Sequence, residues 1–156
     1  MIFVMLGTQH QKFDRLINMI INSKKLKNKE IIIQNGHTKV VANNIKAINF
    51  CTEEQILKYI QESEFVITHG GVGSIINSLK QNKKVIAIAR KEKYKEHADN
   101  HQEEICKYFE ELGYIENITE AEKLDDVIEK LISAEYKKYV TDTKYLQIVK
   151  ECIDNI

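Results

Sequence analysis

Short apolar runs alternate with amphipathic stretches along most of this chain, and that alternation is what most narrows its choice of fold. Runs at Ile2 to Leu6, Glu30 to Gln34, Lys46 to Phe50, Phe65 to Thr68 and Lys84 to Ala89 have the length and β-branched content of strands. Between them, Lys12 to Ser23, Thr52 to Glu62 and Ser74 to Gln81 space their apolar side chains at helical intervals, and a longer stretch follows from Asn100 to Leu112. Two more helices are expected at Ala121 to Ser133 and Lys137 to Asp154. Strands and helices in this order predict an α/β fold, a Rossmann-like parallel sheet flanked by helices. Thr52 stands three residues before Gln55 in a capping-box spacing, and Gly113 follows the long helix as a stop.

A chain of 156 residues, 43% hydrophobic, is expected to form one domain over residues 1–156. Lys plus Arg and Asp plus Glu both total 23, so no overall basic field draws the chain to nucleic acid. Cys51, Cys106 and Cys152 are odd in number, far apart and in no CxxC pair, which argues against a disulfide framework or a structural zinc site and for a reducing cytosol. Met1 leads straight into an apolar run without a basic leader, and no stretch approaches the ~20 apolar residues that span a bilayer. The expectation is a cytoplasmic chain that meets a membrane only through a partner.

The segment His69-Gly70-Gly71-Val72-Gly73-Ser74 follows the buried run Phe65-Val66-Ile67-Thr68 and precedes a helix. Its glycines allow positive φ and close approach of a ligand to the backbone, and the helix start presents unpaired N–H groups to a diphosphate. Ser74 is a candidate helix cap or phosphate donor. The alternative is a tight turn that binds nothing. No Lys-Ser or Lys-Thr pair follows, which excludes the Walker pattern, and the first strand leads into Gly7-Thr8-Gln9-His10 with one glycine only, which excludes the dinucleotide fingerprint. A second polar cluster, His97-Ala98-Asp99-Asn100-His101-Gln102, follows the fifth strand. Loops beyond the carboxyl ends of parallel strands share one crevice, so both segments are expected to face it. His97 and His101 could instead be exposed helix-start residues, or a metal pair four residues apart. The HExxH form and an evident third ligand are missing from the sequence, so no metal is expected.

Three motifs in order carry a family resemblance: Phe3-Val4-Met5-Leu6-Gly7-Thr8 with Phe13-Asp14-Arg15-Leu16-Ile17, then Ile67-Thr68-His69-Gly70-Gly71-Val72-Gly73-Ser74, then Asp99-Asn100-His101-Gln102. Through them the chain resembles the C-terminal domain of glycosyltransferase family 28. That family includes the soluble catalytic subunit of a two-subunit UDP-GlcNAc transferase. The chain also resembles small bacterial exopolysaccharide and capsule transferases, whose Arg and Glu-His before this last motif are matched by Arg90, Glu96 and His97.

The resemblance implies the C-terminal half of a GT-B fold that binds a UDP-sugar with no required metal or other cofactor. Gly7, Thr8 and the turn through His69, Gly70, Gly71, Val72, Gly73 and Ser74 would approach the diphosphate. His97, Asn100, His101 and Gln102 would contact the sugar or its phosphates, with His101 and Arg90 aiding the departure of UDP. The family's ribose-holding Glu is Asn77 here, and its early His-Glu reads Gln9-His10, so no catalytic role passes to His10.

An inverting transfer also needs a base for the acceptor hydroxyl, and the sequence singles out no residue for that role. The resemblance implies a membrane-associated partner that carries the acceptor half and meets a lipid-linked sugar at the inner face of the membrane. A homodimer is an open alternative when that partner is absent. Rival readings are a non-catalytic nucleotide-binding module and a phosphoester hydrolase using His69 or His101. The expected C-terminal helix, with Tyr136, Tyr139, Tyr145, Leu146 and Val149, is a candidate docking surface whose plainer role is packing on its own domain.

Overall fold

The computed structural model describes residues 1–120 and 122–141. Its elements are β1 (Ile2–Met5), α1 (Asp14–Asn22), β2 (Ile31–Gln34), β3 (Ile45–Ile48), α2 (Glu53–Glu62), β4 (Val66–His69), α3 (Val72–Lys80), β5 (Val85–Ile88), a 3-10 turn at Glu92–Tyr94, α4 (His101–Glu111), β6 (Glu116–Asn117) and α5 (Leu124–Ser133). The strands form one sheet in the order β3-β2-β1-β4-β5-β6, and every pairing is parallel.

Alternation along β1 shows why the sheet is central. Ile2, Val4 and Leu6 enter one cluster with Leu16, Ile17 and Ile20 of α1 and Val127, Ile128 and Leu131 of α5. Phe3 and Met5 point the other way and meet Ile60 of α2. On that second face Val85, Ala87 and Ala89 pack under Ile75 and Leu79 of α3 and Ile105 and Phe109 of α4. The result is three layers with β1 covered on both sides, and each apolar side chain buried in this way contributes about 1.5–3 kcal/mol.

Local signals act as expected at two helix ends. Thr52 accepts from the Gln55 N–H while Gln55 accepts from the Thr52 N–H, the reciprocal box that starts α2. Gly113, at φ +78°, donates to the Glu110 carbonyl, and Tyr114 N–H reaches back to Phe109, the paired bonds of a Schellman stop.

Other expectations change. The third helix begins at Val72 rather than Ser74, because Gly71 is its N-cap. The short polar strand β6 and the 3-10 turn have no counterpart in the sequence reading. Residues 137–141 of the helix expected at Lys137 to Asp154 are not helical. Lys137 N–H is held by the Gly113 carbonyl, and Tyr139 packs edge-on against Tyr114. Tyr136 donates to Glu116 Oε1 at 2.6 Å, so Tyr136 and Tyr139 both pack on their own domain. Tyr145, Leu146 and Val149, like Cys152, lie outside the described residues. Among the described residues no helix is long and apolar enough to cross a membrane.

Candidate functional site

The sheet order places a topological switch between β1 and β4: from β1 the chain builds outward through β2 and β3, then returns to β4 on the other side. Loops leaving adjacent carboxyl ends in opposite directions open a crevice there. The Gly7-Thr8 turn leaves β1 on one side of that point, and the glycine turn leaves β4 on the other.

His69 closes the floor between these turns. A Cβ on Gly7 would come within 2.8 Å of His69 Nε2, and one on Gly71 within 2.2 Å of His69 Cε1. Gly7 also sits at φ +81°, where a side chain is strained. None of Gly70, Gly71 and Gly73 has positive φ, contrary to the expectation of backbone freedom. Gly71 is required for closeness instead, as is Gly70, which packs against Gln102 and Cys106. Gly73 alone faces open space.

The start of α3 has no side-chain cap and no acidic residue in its first turn. The N–H groups of Val72, Gly73 and Ser74 therefore lack intrahelical acceptors at the positive end of the dipole, an arrangement suited to phosphate. Ser74 is not the cap; it lies in the first turn, with Oγ 3.3 Å from His69 Nε2.

Gln102 sets the tautomer of that histidine. Its Oε1 accepts from Gly70 N–H at 3.0 Å and Arg90 N–H at 3.1 Å, which turns Nε2 toward His69 Nδ1 at 3.4 Å. His69 Nδ1 is then the acceptor and Nε2–H the donor to Ser74 Oγ, which frees the serine hydroxyl proton for an anion in the crevice. Burial first, and the Arg90 charge second, lower the His69 pKa to about 3, so the ring is neutral.

That depression has a stability consequence. The unfolded chain takes up a proton near pH 6.5 and the folded one only near 3, so stability is greatest above pH 6.5 and falls as the pH drops through this window. Between pH 7 and 5 this single group is expected to remove about 2 kcal/mol. Urea melts at both pH values should show that loss in the native chain, and a smaller one in His69→Gln.

Arg90 is 1% exposed, and its guanidinium does not reach out to the crevice. Nε and Nη2 donate to the Leu6 carbonyl, and Nη1 donates to the carbonyls of Gln11 and Glu96. Its Cζ lies 4.8 Å from the Phe13 ring centre. Burial lowers its pKa to about 10, opposed by Glu96, so it stays charged at neutral pH. In this arrangement it positions the Gly7 turn and the loop before His97.

That loop is clamped a second time by a pair that the site reading of the sequence left out. Glu96, 3% exposed, accepts from Arg15 Nε and Nη2 at 3.0 and 2.8 Å and from Lys91 N–H at 3.0 Å. Arg15 also donates to the Ala89 carbonyl at 2.7 Å. Both residues stand inside quoted motifs, but their partnership spans 81 positions, beyond any spacing argument.

His97, Asp99 and His101 gather at the entrance of α4. Asn100 is exposed, and its Oδ1 is held by Glu92 N–H at 3.0 Å. Gln102 is buried, bridging the ends of β4 and β5 with its amide. Thr8 is exposed at the mouth, and Asn77 is partly buried one turn after Ser74.

The chain is 35% identical over 88 residues to the UDP-N-acetylglucosamine transferase subunit ALG13 of Saccharomyces cerevisiae, covering 56% of this chain and 38% of that protein. It is 38% identical over 72 residues to the subunit of the same name from Candida albicans, covering 46% and 23%. The matched segments thus span well under half of these relatives. A solution structure of ALG13 superposes with a TM-score of 0.62 at 21% identity, over 95% of this chain and 93% of that one. The glycotransferase of kitacinnamycin gives 0.63 at 16% identity, over 85% of this chain but 35% of that one. These structures show the fold: a Rossmann-like sheet of the kind found in GT-B glycosyltransferases. With the model of the glycosyltransferase family 28 C-terminal domain matching residues 1–156, the chain belongs to that family.

Proposed function

We propose that this chain is the donor-binding subunit of an inverting glycosyltransferase and takes a UDP-sugar across the carboxyl ends of β1 and β4. The observation that carries the reading is the uncapped start of α3 at the switch point, held open by Gly71 against His69. As the sugar departs, negative charge builds on the diphosphate. Amides fixed in advance at Val72, Gly73 and Ser74 stabilise that charge without reorganising. The Ser74 hydroxyl adds one donor. In this reading Gly7 and Thr8 line the opposite wall, Asn77 meets the ribose, and His97, Asn100 and His101 meet the sugar and its phosphates. The names of the relatives favour N-acetylglucosamine as the sugar.

The acceptor half belongs to a membrane-associated partner that presents a lipid-linked sugar and supplies the general base, in exopolysaccharide, capsule or other lipid-linked glycan synthesis. Burial and a pKa of about 3 count against His69 as the acid or nucleophile of a hydrolase.

Thermal melts with UDP, UDP-GlcNAc, UDP-glucose and UDP-galactose test the reading. A bound donor at a hundred times its Kd should add about 2.7 kcal/mol, which for a chain of this size raises Tm by about 5–10 °C. No shift with any uridine diphosphate compound would remove the donor site. Full transferase turnover by the chain alone would remove the partner.

A further inference from the structure

Asp99 holds His101 by two atoms at once at the entrance of α4. Asp99 Oδ1 accepts from the His101 N–H at 3.1 Å and also meets Nδ1 of the same residue. The backbone bond, the largest of several influences, keeps the Asp99 carboxyl below its ordinary range, so at neutral pH it can only accept. The proton between the two side chains therefore belongs to His101 Nδ1, and in the neutral ring Nε2 carries the lone pair. This is the reverse of His69, whose Nδ1 accepts and whose Nε2 carries the proton.

The surroundings restrict the ring further. His101 meets His97 edge to face with centroids 4.5 Å apart, and Asp99 N–H donates to His97 Nδ1 at 3.3 Å. Asn100, between Asp99 and His101, is tied to Glu92 N–H. Such support confines a ligand-contacting group to one geometry before the ligand arrives. The His101 side chain is still 24% exposed, which leaves it open to a ligand. Gln102, the next residue, accepts from Gly70 N–H at 3.0 Å and ties this end of α4 to the glycine turn.

We infer that Asp99 is a positioning residue that presents the His101 Nε2 lone pair to a hydroxyl of the donor sugar. A lone pair repels phosphate oxygens and accepts the proton of a hydroxyl, so a neutral ring fixed in this tautomer meets the sugar rather than the diphosphate. The sugar contact rests on the donor reading. The tautomer does not, because the chain sets it without a ligand.

Ring-nitrogen NMR of the full chain without nucleotide, near pH 8 where imidazole is ordinarily neutral, reads the tautomer, with His101→Gln assigning the signals. His101 should show a protonated Nδ1 and a bare Nε2. In Asp99→Ala it should shift toward the Nε2–H form that an unrestrained histidine favours, whereas Asp99→Asn, which keeps one acceptor oxygen, should retain more of the native form. Calorimetry then compares UDP with the tightest binder among UDP-GlcNAc, UDP-glucose and UDP-galactose. Folded Asp99→Ala should bind the UDP-sugar about tenfold more weakly, the effect of one hydrogen bond, and UDP as the native chain does. A native His101 protonated at Nε2, or at both nitrogens, overturns the inference. Unchanged UDP-sugar binding in Asp99→Ala also overturns it, as does an equal loss of UDP and UDP-sugar, which a merely distorted loop would give. If the native chain binds neither ligand, the donor site fails and the sugar contact with it, and the tautomer read without nucleotide shows that failure apart from failure of the Asp99–His101 pair.

Discussion

Replacing Gly71 by alanine is expected to abolish measurable donor binding, whereas the same change two residues later at Gly73 leaves the fold intact. At position 71 the new methyl would lie 2.2 Å from His69 Cε1. The ring is held on both sides, with Gln102 at its Nδ1 and Ser74 Oγ at its Nε2. Something must move: either His69 leaves the floor and releases Ser74, or α3 shifts its first turn away from the crevice. Overpacking of this kind costs about 1–3 kcal/mol in stability. Donor affinity should suffer more, because three amides lose their common aim, and a loss of at least a hundredfold corresponds to about 2.7 kcal/mol. At position 73 an added Cβ meets nothing within 4 Å. Gly73→Ala should melt at or above the native temperature, because alanine exceeds glycine in helix propensity by about 1 kcal/mol. Calorimetric titration with UDP, beside denaturant melts of both variants, checks the contrast. Equal donor affinity in native and Gly71→Ala protein would show that the start of α3 does not hold the diphosphate.

The sheet was legible because its strands carry their own signal. β1, β2, β4 and β5 are largely apolar and buried along their whole length; β1, β2 and β5 fall within the stretches expected for them, and β4 runs one residue past its expected end, to His69. β6 could not be found this way. It is two polar residues, and Glu116 is buried there only because Tyr136 and Lys130 meet its carboxylate. The Lys137 to Asp154 stretch looked helical by spacing, yet residues 137–141 follow a tertiary demand, with Lys137 on Gly113 and Tyr139 on Tyr114.

The glycine turn was similarly half legible. Its place after a buried strand and before a helix could be read, but the reason for its glycines could not, since proximity of His69 to Gly7 and Gly71 depends on two strands meeting at the switch. The roles of Gln102 and Arg90 depend on the same convergence. Family motifs marked both residues without distinguishing a group that touches ligand from one that holds backbone in place.

Arg90 supplies the second large effect, because its removal strips donors from three carbonyls at once. Leu6, Gln11 and Glu96 all accept from its guanidinium, and Phe13 stacks under it. Buried acceptors left without donors cost about 1–3 kcal/mol each, so Arg90→Met should lose about 3–5 kcal/mol even though methionine fills much of the volume. A loss of this size lowers Tm by about 10 °C or more. Arg90→Lys keeps the charge but not the fork, and a single ammonium cannot serve carbonyls on both the loop after β1 and the loop before His97, so it should recover only part of the stability. Denaturant melts measure both effects, and UDP titrations well below each variant's melting range show whether the Gly7 turn has moved. The pattern also separates two roles for the residue. If the guanidinium acts by holding the two loops, stability and donor affinity fall together in both variants. If it acts by touching the leaving diphosphate, Arg90→Met melts like the native chain and Arg90→Lys keeps most of its affinity.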